Sequence, residues 1–330
     1  MDEVVKHIEA FDLDLWYYER RTFQKKLMLK LESHNIKYGF YENLNFFAWN
    51  EKIRDTKFVI FSSDDICPEI WFEDLESTCK KYNLQAIIIT NNFFTKSIDT
   101  AHIKIVFVEE LFGEYYNPHI RTTHTGYKNL YTCLMQRTGF SRLNLFLDLR
   151  KNNLLDRGNV SLLGYQIDED KTADAVLQEI LDQHNIELDF NLDLPFRNFV
   201  DEDSTYKIEQ QSKYDIVCET YNDHAVPYRI AYTEKTFRSL QIPNISLILN
   251  KKGSNKILND LGFKTHKINC LLDGMIGYNC QNDFIVSILE NDYVEEDQVE
   301  EFAKHNSNKL KKLNEKLHNE SFADEIVKNI

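Results

Sequence analysis

The sequence predicts an α/β protein made of two successive units, each with a parallel sheet. Three observations carry that expectation. Short apolar runs are continuous rather than alternating, as in strands buried on both faces. Helical patterns separate them. The alternation then restarts after about residue 125. The chain has 330 residues, so at about 150 residues per domain the expectation is two domains. Hydrophobic residues make up 42% and aromatics 13%, which excludes a mainly disordered protein. No apolar run approaches the roughly 18 to 20 residues of a helical membrane span.

Taken in order, residues 21–32 read as a helix and 37–41 as a strand. Residues 57–61 (KFVIF) read as a buried strand ending in the polar loop 62–65 (SSDD). Residues 70–82 carry apolar side chains at helical spacing. Strands follow at 86–89 (AIII) and 103–108 (IKIVFV), the second ending in Glu109 and Glu110. In the second half, 129–135 (NLYTCLM) reads as a strand and 136–141 as a polar turn. Ser141 is then the expected N-cap of a helix over 142–151, whose face holds Leu143, Phe146, Leu147 and Leu149. Further strands are expected at 160–163, 214–218 and 246–249. Helices are expected at 173–184 and at 256–262, the latter stopped by Gly262.

The end of the chain differs. Residues 290–301 are strongly acidic, and 301–317 alternate charge at helical spacing. They read as one or two solvated helices packed by Val299, Phe302, Leu310, Leu313 and Leu317; an acidic interaction tail is the alternative. The expected organisation is an N-terminal domain over 1–125, a second over 126–290, and a helical tail over 291–330.

Composition narrows the function. The formal net charge is -14. A sequence-independent nucleic-acid binder draws affinity from neutralised phosphates, so nucleic acid is disfavoured as a partner, as is an anionic membrane surface. The six cysteines, at 67, 79, 133, 218, 270 and 280, include no CxxC pair. With an acidic N-terminus that has no signal-peptide core, they read as free thiols of a cytoplasmic protein. Neither GxGxxG nor GxxxxGK[ST] occurs, so nicotinamide and P-loop chemistry find no support.

Two stretches carry residue types suited to an anionic ligand. At 129–151, a strand, a short loop with Arg137 and a helix opening with Arg142 place two guanidiniums beside free backbone N–H groups, an arrangement suited to a diphosphate. A cation in a first helical turn opposes the helix dipole, so Arg142 calls for a specific reason. At 214–249, a buried strand runs into Glu219, and the later segment YTEKTFR opens a helix with Thr233 as N-cap. Glu234 there favours the dipole whatever its other role. A carboxylate accepts two ribose hydroxyls, and a neighbouring lysine reaches phosphate. Such groups collect at the carboxyl ends of strands in α/β sheets.

The order Glu219, then YTEKTFR, then Pro243 before a strand resembles the nucleotide-sugar motif of fucosyltransferase-like glycosyltransferases. It is similar also to glycosyltransferases of marine phages and giant viruses. In those, the pattern continues with L-G-F-K-T and an aromatic; here Leu261 to Thr265 match and His266 takes the last place. Leu134 to Arg142, Gly158 to Ser161, and Lys304-His305-Asn306 also resemble that group. The resemblance covers roughly 129–310.

It implies a GT-B arrangement: two Rossmann-like domains facing each other across a cleft. It implies a nucleotide-diphosphate sugar as donor, held by Arg137, Arg142, Glu219, Tyr232, Thr233, Glu234, Lys235 and Arg238. No permanently bound cofactor and no metal are expected. The acceptor is open among glycan, protein and modified base, and a viral protein would act in the host cytoplasm. An inverting transferase needs a base, expected on the N-terminal domain at Asp64 or Asp65, with Glu109 and Glu110 as second candidates. His119, His124 and His224 read as surface residues. The loop from Asn250 to Ser254, where the pattern has an aromatic or small residue, leaves the sugar open. Two alternatives remain: a scaffold that keeps the fold without turnover, and a sugar transferase acting on hydroxymethylated DNA bases.

Overall fold

The fold was analysed in a computed structural model, which describes residues 22–40, 57–62, 69–91, 93–94, 100–135, 140–163, 182–183, 189–190, 202–219, 229–275 and 278–329. The protein is mixed α/β with parallel sheets, in two compact units. One comprises Met1–Tyr116 with Leu310–Ile330, the other Asn117–Lys309.

The first unit runs α1 (Thr22–Ser33), β1 (Lys37–Phe40), β2 (Lys57–Ser62), α2 (Glu69–Tyr82), β3 (Gln85–Thr90), β4 (Phe93–Phe94), β5 (Ile103–Phe107) and a 3-10 helix, Glu109–Tyr115. Its sheet has the order β1-β2-β3-β5, parallel throughout. Ala86 to Ile89 are buried, each 2% exposed or less, as a strand covered on both faces demands of its sequence.

The second unit begins with β6 (Asn129–Met135), α3 (Phe140–Lys151), β7 (Gly158–Leu163), β8 (Asp189–Phe190), α4 (Glu202–Glu209) and β9 (Ser212–Cys218). It continues with β10 (Arg229–Ile230), α5 (Glu234–Leu240), β11 (Ile245–Leu249), α6 (Ser254–Asp260), α7 (Ile268–Gly274), α8 (Tyr278–Asn291) and α9 (Val299–Leu317); α10 (Glu320–Asn329) ends the chain. The sheet order is β11-β9-β6-β7-β8; only β8 is antiparallel to its neighbour. Tyr131, Cys133 and Met135 share one face with Tyr214, Ile216, Ile245 and Leu247, packed against side chains of α3, α7 and α8. Helices α4 and α5 pack on β9. The third residue of β6 explains Gly158 opposite it: a Cβ there would lie 2.6 Å from the Tyr131 ring and carbonyl, so no larger residue fits. Gly262, at φ +84°, ends α6 in the left-handed conformation, as its place in the sequence predicts.

Two sequence expectations change. Helix α3 starts at Phe140, so Ser141 lies inside its first turn and is not the cap. The end of the chain is not a separate solvated piece. Leu317, Phe322, Ala323, Ile326 and Val327 join Leu27, Leu31, Ile87 and Ile89 in one core. Lys30 and Asp324 pair across α1 and α10 at 2.8 Å, and Lys26 Nζ donates to the His318 carbonyl at 3.0 Å. The apolar face of α10 has helical spacing, but its partner α1 lies at the other end of the sequence. The unit division falls inside α9, at Leu310. Of the helix expected at 173–184, residues 173–181 and 184 lie outside the described residues.

Candidate functional site

Counted from β6, the strand order reads 3-2-1-4-5, with the third strand reversed. The chain leaves β6 to one side and returns at β9 on the other. In such sheets the crevice outside the carboxyl ends of those two strands is where ligands bind. The end of β6 is fixed by a hydrogen bond from the Met135 N–H to Ser161 Oγ at 3.3 Å. The end of β9 runs straight into Glu219, whose own N–H bonds the Leu249 carbonyl at 3.2 Å.

Glu219 is 1% exposed. Its Oε1 accepts from the Thr233 N–H at 3.0 Å and from Thr236 Oγ1 at 2.5 Å, and its Oε2 accepts from Thr233 Oγ1 at 2.8 Å. A buried carboxylate is tolerated only with such partners. All three donors belong to the start of α5. Thr233 is its N-cap, in extended conformation, accepting from the Lys235 N–H at 3.3 Å. Glu219 thus ties the end of β9 to the first turn of α5.

The segment from Ala231 to Thr233 crosses the ends of β9 and β11. Asn250 Nδ2 donates to the Ala231 carbonyl at 2.8 Å, and the Tyr232 hydroxyl donates to the Ser254 carbonyl. Burial pushes the Tyr232 phenol well above its ordinary pKa, with the nearby Asp273 and Glu219 charges adding to it. Tyr232 is therefore a packed, protonated anchor. Glu234 and Lys235 follow, half-buried and paired side by side, with Nζ to Oε1 at 2.5 Å. Burial works against the Glu234 charge, but Lys235 and then Arg238 overcome it and hold the carboxyl at about 2. The Glu234 carboxyl is therefore ionised at neutral pH.

Of the three arginines expected to hold the donor, the two among the described residues, Arg142 and Arg238, are committed inside the protein. Arg142 is 4% exposed, and its Nη2 donates to the Cys218 carbonyl at 2.8 Å. That bond is the specific reason for a cation in the first turn of α3. Arg238 forms a bidentate pair with Glu209 of α4: Nε to Oε2 at 2.7 Å and Nη2 to Oε1 at 2.7 Å. Burial opposes its charge, yet Glu209, Glu234 and Asp215 raise its pKa. Arg238 is thus held by Glu209 of α4.

Several residues of this edge were not singled out by the sequence. Asp273 fills the start of α6: it accepts from the Asn255 and Lys256 N–H groups at 3.1 and 2.9 Å and from Ser254 Oγ at 3.3 Å. Asn269 covers the outer edge of β11, accepting from the Ile248 N–H at 3.0 Å and donating to the Ser246 carbonyl at 2.7 Å. Asn306, in the lysine–histidine–asparagine run, bonds the Lys264 N–H and carbonyl at 2.7 and 2.8 Å and the Leu240 carbonyl at 3.0 Å. No local pattern marks Asp273 or Asn269. His266, in the place of an aromatic, is buried with its pKa lowered by desolvation; Nδ1 accepts from the Ile268 N–H at 3.3 Å.

Glu219, Tyr232, Thr233, Glu234 and Lys235 are therefore brought together, and Arg142 joins them through the Cys218 carbonyl. Asp64, Asp65, Arg137 and His224 lie outside the described residues. Glu109 and Glu110 open the 3-10 helix of the first unit, where Glu110 pairs with Lys316 at 2.5 Å. His119 is exposed, and the His124 ring lies against Tyr127, tilted by 55° with centroids 3.9 Å apart. Among the described residues no group of three or more His, Cys, Asp or Glu is placed to hold a metal, and no helix is long and apolar enough to cross a membrane. No family model matches the chain, and no curated protein matches its sequence.

Proposed function

We propose that this chain is a cytoplasmic glycosyltransferase that moves a sugar from a nucleoside-diphosphate donor to an acceptor hydroxyl. In this reading both units are Rossmann-like and face each other as in GT-B enzymes, with the donor on the second unit. The observation that carries it is the Glu234–Lys235 pair in the first turn of α5, anchored at the switch-point edge of a largely parallel sheet. Lys235 holds the diphosphate and Glu234 takes ribose hydroxyls, each giving up part of the other to do so. Arg137, in the loop after β6, adds a second cation.

The acceptor oxygen attacks the anomeric carbon as the bond to the diphosphate oxygen breaks. The leaving diphosphate takes the bonding electron pair and gains charge, which a fixed cation stabilises more than it stabilises the ground state. The acceptor proton goes to a base, assigned to Asp64 or Asp65 after β2, and the anomeric centre inverts. Calorimetry with uridine and guanosine diphosphates tests the donor site. Binding by the unaltered chain and at least tenfold weaker binding by Lys235→Ala are expected; no binding, or an unchanged Lys235→Ala, refutes the reading.

A second reading, a binding module without turnover, draws on Glu219 and Asp273: the protein's own carboxylates occupy the N-cap N–H of α5 and the first-turn N–H groups of Asn255 and Lys256 in α6. Donor hydrolysis separates the two. A transferase releases sugar slowly to water, and a module without turnover releases none.

A further inference from the structure

We infer that Glu219 is a positioning residue: with Arg142 it braces the Lys235 backbone from beneath and does not itself touch the donor. The inference rests on the donor site proposed above and corrects the expectation that Glu219 and Arg142 are ligand contacts.

The brace is a continuous chain of hydrogen bonds. Arg142, on α3, donates to the last carbonyl of β9, that of Cys218. The next residue, Glu219, receives three bonds from Thr233 and Thr236, which bracket Glu234 and Lys235 in the sequence. Thr233 Oγ1 in turn accepts from the Lys235 N–H. Three elements that meet at the switch point (α3, β9 and α5) are thereby locked to one another, with both charged links buried. A carboxylate whose two oxygens already take three donors has one lone-pair direction left, too few for a ribose diol, and at 1% exposure no access for it. Its effect on a ligand is exerted through where it holds Lys235. Placement of this kind matters because small displacements of a binding group forfeit much of its interaction.

The geometry separates positioning from contact experimentally. A glutamine at 219 keeps one oxygen for the Thr233 N–H and the Thr236 hydroxyl, and its amide can donate to Thr233 Oγ1, since a hydroxyl serves either way. The brace survives in Glu219→Gln while the negative charge is gone. Glu219→Ala removes the brace. The experiment is calorimetry of uridine and guanosine diphosphate on the full chain, with hydrogen exchange of residues 232–237 read in parallel. Glu219→Ala should weaken binding about tenfold, the scale of one to two lost hydrogen bonds, and speed exchange there. Glu219→Gln should stay within about threefold, with exchange unchanged. Thr236→Val, a near-isosteric change that deletes one bond, should weaken binding about threefold and covers the case in which the alanine variant fails to fold.

If Lys235→Ala weakens binding but Glu219→Ala and Thr236→Val do not, the positioning role is overturned and the donor site stands. If Glu219→Gln loses as much as Glu219→Ala, Glu219 is a direct contact and the inference is overturned. If the unaltered chain binds neither diphosphate, the donor site falls and this role with it.

Discussion

The buried triad of Arg238, Glu209 and Asp215 makes a stability prediction that two single variants and their double can test. Arg238 and Glu209 are joined by a fork of hydrogen bonds, with side-chain exposures of 15% and 4%. Asp215, on β9, is 3% exposed, and its Oδ2 has no hydrogen-bond partner. Burial raises its pKa well above the ordinary value and the Glu209 charge adds to that; Ser239 and Arg238 oppose it. Removing one partner of a buried ion pair costs about 3–5 kcal/mol, because the other charge is stranded. Here a replacement stands next to the stranded charge. In Glu209→Gln the Glu209 charge, the second cause of the Asp215 shift after burial, disappears while the attraction of Arg238 remains, and the expected outcome is that Asp215 ionises and compensates Arg238. The single variant should therefore lose only about 1–2 kcal/mol, the net worth of a hydrogen bond to a charged group. Asp215→Asn should be neutral or stabilising at pH 7. The double variant strands Arg238 and should lose the full ~3–5 kcal/mol, a coupling of about 2 kcal/mol. The assay is urea denaturation followed by fluorescence. Additive losses within about 0.5 kcal/mol refute the reasoning. The pH dependence gives a second readout. A carboxyl whose pKa is raised on folding contributes stability fully below its unfolded value, and that contribution is lost as pH rises through the folded value. The advantage of Asp215→Asn over the unaltered chain should accordingly grow from about pH 4 upward.

Other perturbations address the rest of the fold. Phe322→Ala empties a 3%-exposed site shared with α1 and should cost about 3–5 kcal/mol, seen as loss of the unfolding transition of the first unit. Asp273→Ala leaves the first N–H groups of α6 without their acceptor and should cost about 1 kcal/mol in denaturant melts, with faster exchange confined to residues 254–260. Asp64→Asn and Asp65→Asn should leave diphosphate binding intact, and one of them should lower transfer by about 10²-fold or more. If neither slows transfer, the base lies elsewhere.

What the sequence made legible follows the range of the interactions. Strands β3, β9 and β11 announce themselves because a strand buried on both faces needs consecutive apolar residues, a wholly local signature. Thr233 as N-cap is legible for the same reason: its partner, the Lys235 N–H, is two residues away. Helix α10 falls within the helical tail expected over 291–330, but nothing local says that its apolar face meets α1. The face needs a partner, and only the fold supplies it.

The site was legible in place and illegible in role. Motif and strand ends pointed to residues 219 and 232–238, and the structure gathers Glu219 and 232–235 at one edge of the sheet. The division of labour among them depends on partners far away in sequence. Arg238 pairs with a carboxylate 29 residues before it, Glu219 bonds groups 14 and 17 residues after it, and Asn255 is capped from 18 residues on. A charged residue near a strand end can hold a ligand or hold the protein, and residue type alone does not distinguish the two. Exposure does: at 1% and 4%, Glu219 and Arg142 are withdrawn from solvent and bond the backbone, while the half-buried Glu234 and Lys235 pair with each other. In the proposed reading, a donor diphosphate would compete with Glu234 for Lys235, a partner that it exceeds in charge. It would have to break an entire buried network to reach Arg142. The same string of charged residues therefore separates into a rigid frame and an exchangeable pair, and the proposed function rests on the exchangeable pair.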